Sequence, residues 1–122
     1  MKILVVDDMA SMRSVICHIL DGIGYSDTAS AVDGVQALTK LRNDTFDLVI
    51  SDWNMPNMNG QQLLENIRAD EQLKHTPVLM VTAETEKTIV VNAAKAGVNA
   101  YIVKPFTPQQ LQAKMALMLT PN

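Results

Sequence analysis

Short apolar runs alternate with amphipathic stretches along the whole chain, and this alternation restricts the fold more than any single residue does. The runs are Lys2 to Val6, Tyr25 to Ala29, Asp47 to Ser51, Val78 to Val81 and Ala100 to Val103, and they read as strands. The first, third and fourth are almost wholly apolar, the pattern of strands covered on both faces. Between the runs, apolar residues recur at a period near four: Met12, Val15, Ile16, Ile19 and Leu20 first, Leu63, Leu64 and Ile67 third, Leu111, Met115, Met118 and Leu119 last. Five strand and helix pairs in succession predict an α/β fold, a parallel sheet with helices on both faces joined by right-handed crossovers.

Local punctuation agrees. Asp21-Gly22-Ile23-Gly24 stops the first helix, Asp33-Gly34 opens the second and Gly97 follows the fourth. Thr107-Pro108 starts the fifth, with threonine as cap and proline at the first helical position. A chain of 122 residues has room for one domain, spanning 1–122, and is long enough to bury its own core. A net charge of -3 with 48% hydrophobic residues points neither to a nucleic-acid partner nor to disorder. Neither a secretory signal nor a membrane-spanning run is readable, so no membrane insertion is expected. Cys17, the single cysteine, cannot form an internal disulfide, and a cytoplasmic location is expected.

In an open parallel sheet the carboxyl ends of the strands face one crevice. The first run ends in Asp7-Asp8, the third in Asp52-Trp53-Asn54, the fourth in Thr82-Ala83-Glu84 and the fifth in Lys104-Pro105. One acid at a loop is ordinarily a solvated turn residue; polar groups at four ends of one sheet edge describe a site. Three carboxylates in one crevice repel unless a cation sits among them. A hard divalent ion resolves this, and Mg2+ takes one or two protein carboxylates while leaving positions for water or phosphate oxygens. The expectation from the residues is therefore an acidic Mg2+ pocket for phosphoryl chemistry.

With these motifs in place, the chain resembles the receiver domains of two-component response regulators, in particular the stand-alone chemotaxis type. The resemblance runs from Ile3-Leu4-Val5-Val6-Asp7-Asp8 through Asp52-Trp53-Asn54-Met55-Pro56-Asn57-Met58-Asn59-Gly60 and Val81-Thr82-Ala83-Glu84 to Lys104-Pro105-Phe106. It implies a flavodoxin-like five-stranded sheet in the order 2-1-3-4-5 with five helices, forming a single receiver domain without an output domain. It also implies that Asp52 accepts a phosphoryl group from a histidine kinase or a small acyl phosphate. Asp8, Asp52 and the backbone carbonyl of Asn54 would bind Mg2+, with Asp7 acting through a metal-bound water. Lys104 would pair with a phosphoryl oxygen, and its bond to Pro105 is expected to be cis.

Thr82 and Tyr101 are the implied switch. The threonine hydroxyl would turn toward the phosphoryl group, the tyrosine ring would follow, and the surface of the fourth helix, fifth strand and fifth helix would change. Asn54 and Glu84 would flank the path of hydrolytic water, and both types match a rapidly resetting pattern. The chain is expected to be monomeric and to act on a downstream protein, such as a flagellar switch component or another regulator.

Other readings are weaker. A stand-alone receiver in a non-chemotaxis phosphorelay shares the same chemistry. A Mg2+-dependent aspartyl phosphatase of the haloacid dehalogenase type needs a second acid two residues after the nucleophile, where this chain has Asn54. A nucleotide or flavin binder needs a phosphate-cradling loop after the first strand, and Asp7-Asp8-Met9-Ala10 repels phosphate without a metal. The joint presence of Asp7, Asp8, Asp52, Thr82 and Lys104 argues against a degenerate interaction module. Trp53, beside the acceptor, should report metal or phosphate binding by fluorescence. His18 and His75 read as surface histidines, and Met9, Met12, Met55 and Met58 as core filling.

Overall fold

The nearly uninterrupted apolar runs become the inner strands of a parallel sheet: β1 (Ile3–Val6), β3 (Leu48–Asp52) and β4 (Val78–Thr82), every residue buried. The edges are β2 (Thr28–Ala31), built of small and polar residues, and β5 (Ala100–Val103), and both are partly exposed. The order is β2-β1-β3-β4-β5. The computed structural model describes residues 1–82 and 97–119. Among them lie α1 (Ala10–Gly22), α2 (Gly34–Asn43), α3 (Gly60–Ala69) and a C-terminal helix (Pro108–Leu119). The helix expected between β4 and β5 falls outside the described residues.

The two-residue period of the strands divides the core in two. Leu4, Val6, Val49, Val78 and Met80 face Leu38 and Leu41 of α2 and Leu63, Leu64 and Ile67 of α3. Ile3, Val5, Leu48, Ile50, Leu79, Val81 and Ile102 face Ile16 and Leu20 of α1 and Leu111 and Met115 of the C-terminal helix. Each fully buried aliphatic side chain contributes about 1.5–3 kcal/mol relative to exposure, so this double-sided burial is what holds the acid-bearing strand ends in place. Among the described residues, no helix is long and apolar enough to cross a membrane.

One strand is displaced from expectation. The run Tyr25 to Ala29 was the candidate for β2, whereas the strand is Thr28–Ala31. At Tyr25 the chain is still closing α1: Tyr25 N donates to the Leu20 carbonyl at 2.8 Å and Gly24 N to Asp21 at 3.2 Å, with Gly24 at φ 99°. Pairing begins where Ile3 N donates to the Asp27 carbonyl, 3.0 Å away. The β propensity of tyrosine pointed to the wrong segment because an edge strand is defined by its partner.

Helix starts follow side-chain chemistry. Asp33 caps α2, its Oδ1 accepting from Gln36 N at 2.9 Å. Asn59 and Gln62 form a reciprocal capping box on α3. Thr107 Oγ1 accepts from Gln110 N at 3.1 Å while Gln110 Oε1 accepts from Thr107 N at 2.8 Å. At the opposite end of the sheet from the acids, Arg68 of α3 ties the entries of β4 and β5 together. Its guanidinium donates to the carbonyls of Gly97 (2.9 Å), Lys74 (3.1 Å) and Thr76 (2.7 Å), and to Asn99 Oδ1 (2.8 Å).

Candidate functional site

The sheet order reverses between β1 and β3, and the crevice beyond their carboxyl ends is where such a fold opens a ligand site. Asp7 extends the ladder one step past β1, its N–H donating to the Ala31 carbonyl at 3.1 Å. Its side chain is fully buried, and Oδ1 accepts from Met9 N at 2.9 Å. Asp8 is exposed. Asp52 is the last residue of β3 and only 8% exposed. One carboxylate oxygen from each of Asp7, Asp8 and Asp52 lies within 4.8 Å of the others, so the acids at the ends of the first and third runs do meet.

Lys104 follows β5, two strands from β3, a separation of roughly 10 Å that only a long side chain spans. Its backbone N–H donates to the Thr82 carbonyl at 2.7 Å, and the Lys104–Pro105 peptide bond is cis. The ammonium lies 3.5 Å from Asp7 Oδ2 and 3.5 Å from Asp52 Oδ1. One ammonium thus pairs with two of the three clustered carboxylates. The Asp52 carboxyl is pushed above its ordinary value, first by burial; the Lys104 ammonium pulls it down and the Asp7 carboxylate pushes it up.

This set of donors fits a hard divalent cation. All three side chains offer oxygen, two of them are buried, and the local charge stays negative after Lys104 is counted. Both Asp7 oxygens already have partners, Met9 N and Lys104 Nζ, whereas Asp8 opens to solvent.

The remaining expected residues are placed as follows. Thr82 ends β4 and is buried; Tyr101, on edge strand β5, is 37% exposed. Thr82 pairs with Val103 and Met80 with Tyr101, so the two-residue period sets Thr82 and Tyr101 on one face of the sheet. The Lys114 ammonium lies over the Tyr101 ring, 5.5 Å from its centre. Asn54 follows Asp52 in the β3–α3 loop with an exposed side chain, and Glu84 lies outside the described residues. Trp53 is buried against Leu63, Val6 and their neighbours, while His18 and His75 are exposed. Met12, Met55 and Met58 pack partly into the two cores, whereas Met9 is exposed.

Three contributions escaped the sequence. Arg13 of α1 brings a second cation to the rim, its Nη1 donating to the Asp7 backbone carbonyl at 2.7 Å. Its position one turn into the helix that follows the first acids was the available signal. Gly60 lets α3 begin against the site: a Cβ there would meet the Asp52 carbonyl oxygen and stand 2.8 Å from Trp53 Cα. Asp33 and Asn57 join α2 to the β3–α3 loop through a 2.8 Å hydrogen bond that no local pattern announces.

Comparison with known proteins agrees with this geometry. The chemotaxis protein CheY-3 of Vibrio cholerae is 53% identical over 115 residues, 94% of this chain and 88% of that protein. The chemotaxis protein CheY1 of Helicobacter pylori is 49% identical over 123 residues, covering 100% of this chain and 99% of its own length. Among solved structures, the chemotaxis response regulator CheY4 of Vibrio cholerae superposes with a TM-score of 0.90 at 38% identity, over 97% of this chain and 98% of that one. A CheY-like receiver domain protein from Methanospirillum hungatei gives 0.86 at 31% identity, over 95% and 90%. The response regulator receiver domain pattern matches residues 3–116, and with the strand order and the acid cluster in agreement, the chain belongs to that family.

Proposed function

We propose that this chain is a phosphorylation-activated signalling switch of the chemotaxis type, in which Asp52 accepts a phosphoryl group in a Mg2+-dependent reaction. The observation that carries this reading is the meeting of three carboxylates, two of them buried, with an ammonium 3.5 Å from both Asp7 and Asp52. Asp8, Asp52 and the Asn54 carbonyl would hold Mg2+, with Asp7, whose oxygens are already engaged, acting through a bound water. The ion would supply neutralisation of the acceptor carboxylate and the incoming phosphate, which otherwise repel.

The residues of the chain account for the rest. An Asp52 oxygen forms the new bond to phosphorus as the bond to a histidine kinase imidazole, or to a small acyl phosphate, breaks, and the bonding pair leaves with the donor. Transfer of this kind depends on positioning and charge stabilisation more than on covalent help. Asp52 is positioned by β3, and Lys104 stands ready to pair with a phosphoryl oxygen. Loss of the group follows attack of water on phosphorus, and the side chains of Asn54 and Glu84 would set access, giving a short-lived signal. Thr82 would sense the phosphoryl group and Tyr101 would carry the change to a protein-binding face. The names of the relatives support a chemotaxis output over another phosphorelay.

The test is incubation with Mg2+ and a small phosphodonor, followed by intact mass and Trp53 fluorescence. The native chain is expected to gain one phosphoryl group, and chelation of Mg2+ or Asp52→Asn to abolish the gain. An adduct that survives the substitution unchanged rejects the assignment.

A further inference from the structure

Beyond the acid cluster, the β3–α3 loop is the segment whose path demands explanation, and the residues that hold it are the N-cap and first residue of α2. Among the described residues, Asn57 is the only non-glycine with positive φ, 66°, a region that asparagine enters more readily than most. The turn around it is closed by Met58 N donating to the Pro56 carbonyl at 2.7 Å, a three-residue γ-turn. Asn57 Nδ2 donates to Asp33 Oδ2 at 2.8 Å, while the other oxygen of the same carboxylate caps α2. A parallel link runs from Gly34 N to the Met58 carbonyl, 3.2 Å. Asp33 is buried, and Gly34 has no room for a side chain, since a Cβ would stand 2.6 Å from Met58 Cγ.

At its other end the loop is fixed by Trp53, whose N–H donates to Val81 and whose carbonyl accepts from Gly60 N at 2.8 Å. Asn54 therefore lies between two pinned points, with its side chain exposed. The path of its backbone follows from Trp53 on one side and Asn57 on the other.

We propose that Asp33 and Asn57 are positioning residues for the divalent cation: their hydrogen bond keeps the loop in the path that offers the Asn54 carbonyl to the acid cluster. This rests on the Mg2+ reading above and extends it to Asp33, the N-cap of α2, which stands outside the acid cluster. Without the clasp the turn at Asn57 relaxes, and the loop must be ordered each time the cation binds. Partners that orient metal ligands are typically worth about tenfold or more in affinity.

The experiment is a Mg2+ titration of the full chain without phosphodonor, read by the fluorescence of Trp53, the single tryptophan, and by calorimetry. Asp33→Asn keeps the cap, because asparagine caps as well as aspartate, and leaves a neutral bond in place of the charge-assisted one once the Asn57 amide turns its oxygen toward the new donor. Asn57→Asp sets carboxylate against carboxylate. The double variant D33N/N57D restores a donor and an acceptor in reversed order. Asn57→Asp is expected to raise the Mg2+ Kd about tenfold, Asp33→Asn to raise it by less, and the double variant to return it to within about twofold of native. Exchange of the Gly34 amide hydrogen, measured without cation, should speed up in Asn57→Asp and recover in the double.

Charge at a distance makes a different forecast: D33N weakens binding, N57D tightens it and the effects add. That outcome overturns the proposal, as does native affinity in Asn57→Asp. Asn57→Gly, which keeps the positive φ open while removing the side chain, guards against misfolding; weakened Mg2+ binding with native circular dichroism supports the clasp, and native affinity rejects it. A native chain that fails to bind Mg2+ rejects the metal reading itself, and the clasp with it.

Discussion

At the scale of single residues, Asp33 and Asp52 are buried carboxylates displaced in opposite directions. Burial pushes the Asp52 carboxyl up, so its charge weighs against the fold whenever no cation is bound. Asp52→Asn is therefore expected to stabilise the Mg2+-free chain by about 1 kcal/mol, roughly 4 °C in thermal midpoint. Mg2+ at 100 times its Kd should add about 2.7 kcal/mol to the native chain and far less to the variant; thermal denaturation with and without Mg2+ checks both. In Asp33 the carboxyl is held below its ordinary value, first by Gln36 N–H and then by Asn57. A lowered carboxylate contributes stability that is fully present above the ordinary value of 3.8 and is lost as pH falls through the depressed folded value. Asp33→Ala should thus cost about 1–2 kcal/mol near neutrality, in urea denaturation, with the gap to native closing in acid. A gap that persists there would assign the cost to packing. Asp7, Asp8, Asp52 and Lys104 were legible because each stands where an apolar run stops. The partnership of Asp33 with Asn57, 24 positions apart, was not, because each residue alone reads as an ordinary turn former.

Secondary-structure elements carry the site through their ends. The start of α3 presses against the end of β3 at Gly60, whose N–H donates to the Trp53 carbonyl at 2.8 Å. Gly60→Ala is expected to cost about 2–3 kcal/mol, since the obstacle is backbone and cannot swing aside, and to weaken Mg2+ binding by shifting the loop. Urea denaturation and the Trp53 titration measure the two effects; an unchanged midpoint would mean that the contact relaxes freely. Helix starts were readable at Asp33 and Thr107 because capping is local chemistry. The position of β2 was not, because Thr28-Ala29-Ser30-Ala31 has little apolar signal and becomes a strand only by pairing with β1.

For the whole molecule, the sheet connects Asp52 on β3 to the edge strand that carries Tyr101. Thr82 is buried at the site and Tyr101 stands on the same face at the exposed edge, with Met80 paired to it across β4 and β5. Thr82→Ala is expected to leave phosphoryl uptake by mass intact while cutting the coupling to Tyr101 by about tenfold, ~1.4 kcal/mol. The reading is the change in the Tyr101 ring resonances on phosphorylation, and a native-sized change in the variant would remove Thr82 from the switch. The sequence by itself determined the succession of the described elements other than the bounds of β2, the inner strands and the acids that end β1 and β3, because periodicity, capping and strand termination are written in neighbouring residues. Only the tertiary structure decided where β2 begins, that Lys104 reaches both Asp7 and Asp52, that Arg13 joins their rim, and that the start of α2 is hydrogen-bonded to the loop after Asp52. Those contacts join residues far apart in the chain, and they come into being only when the two-sided core brings the strand ends to one edge.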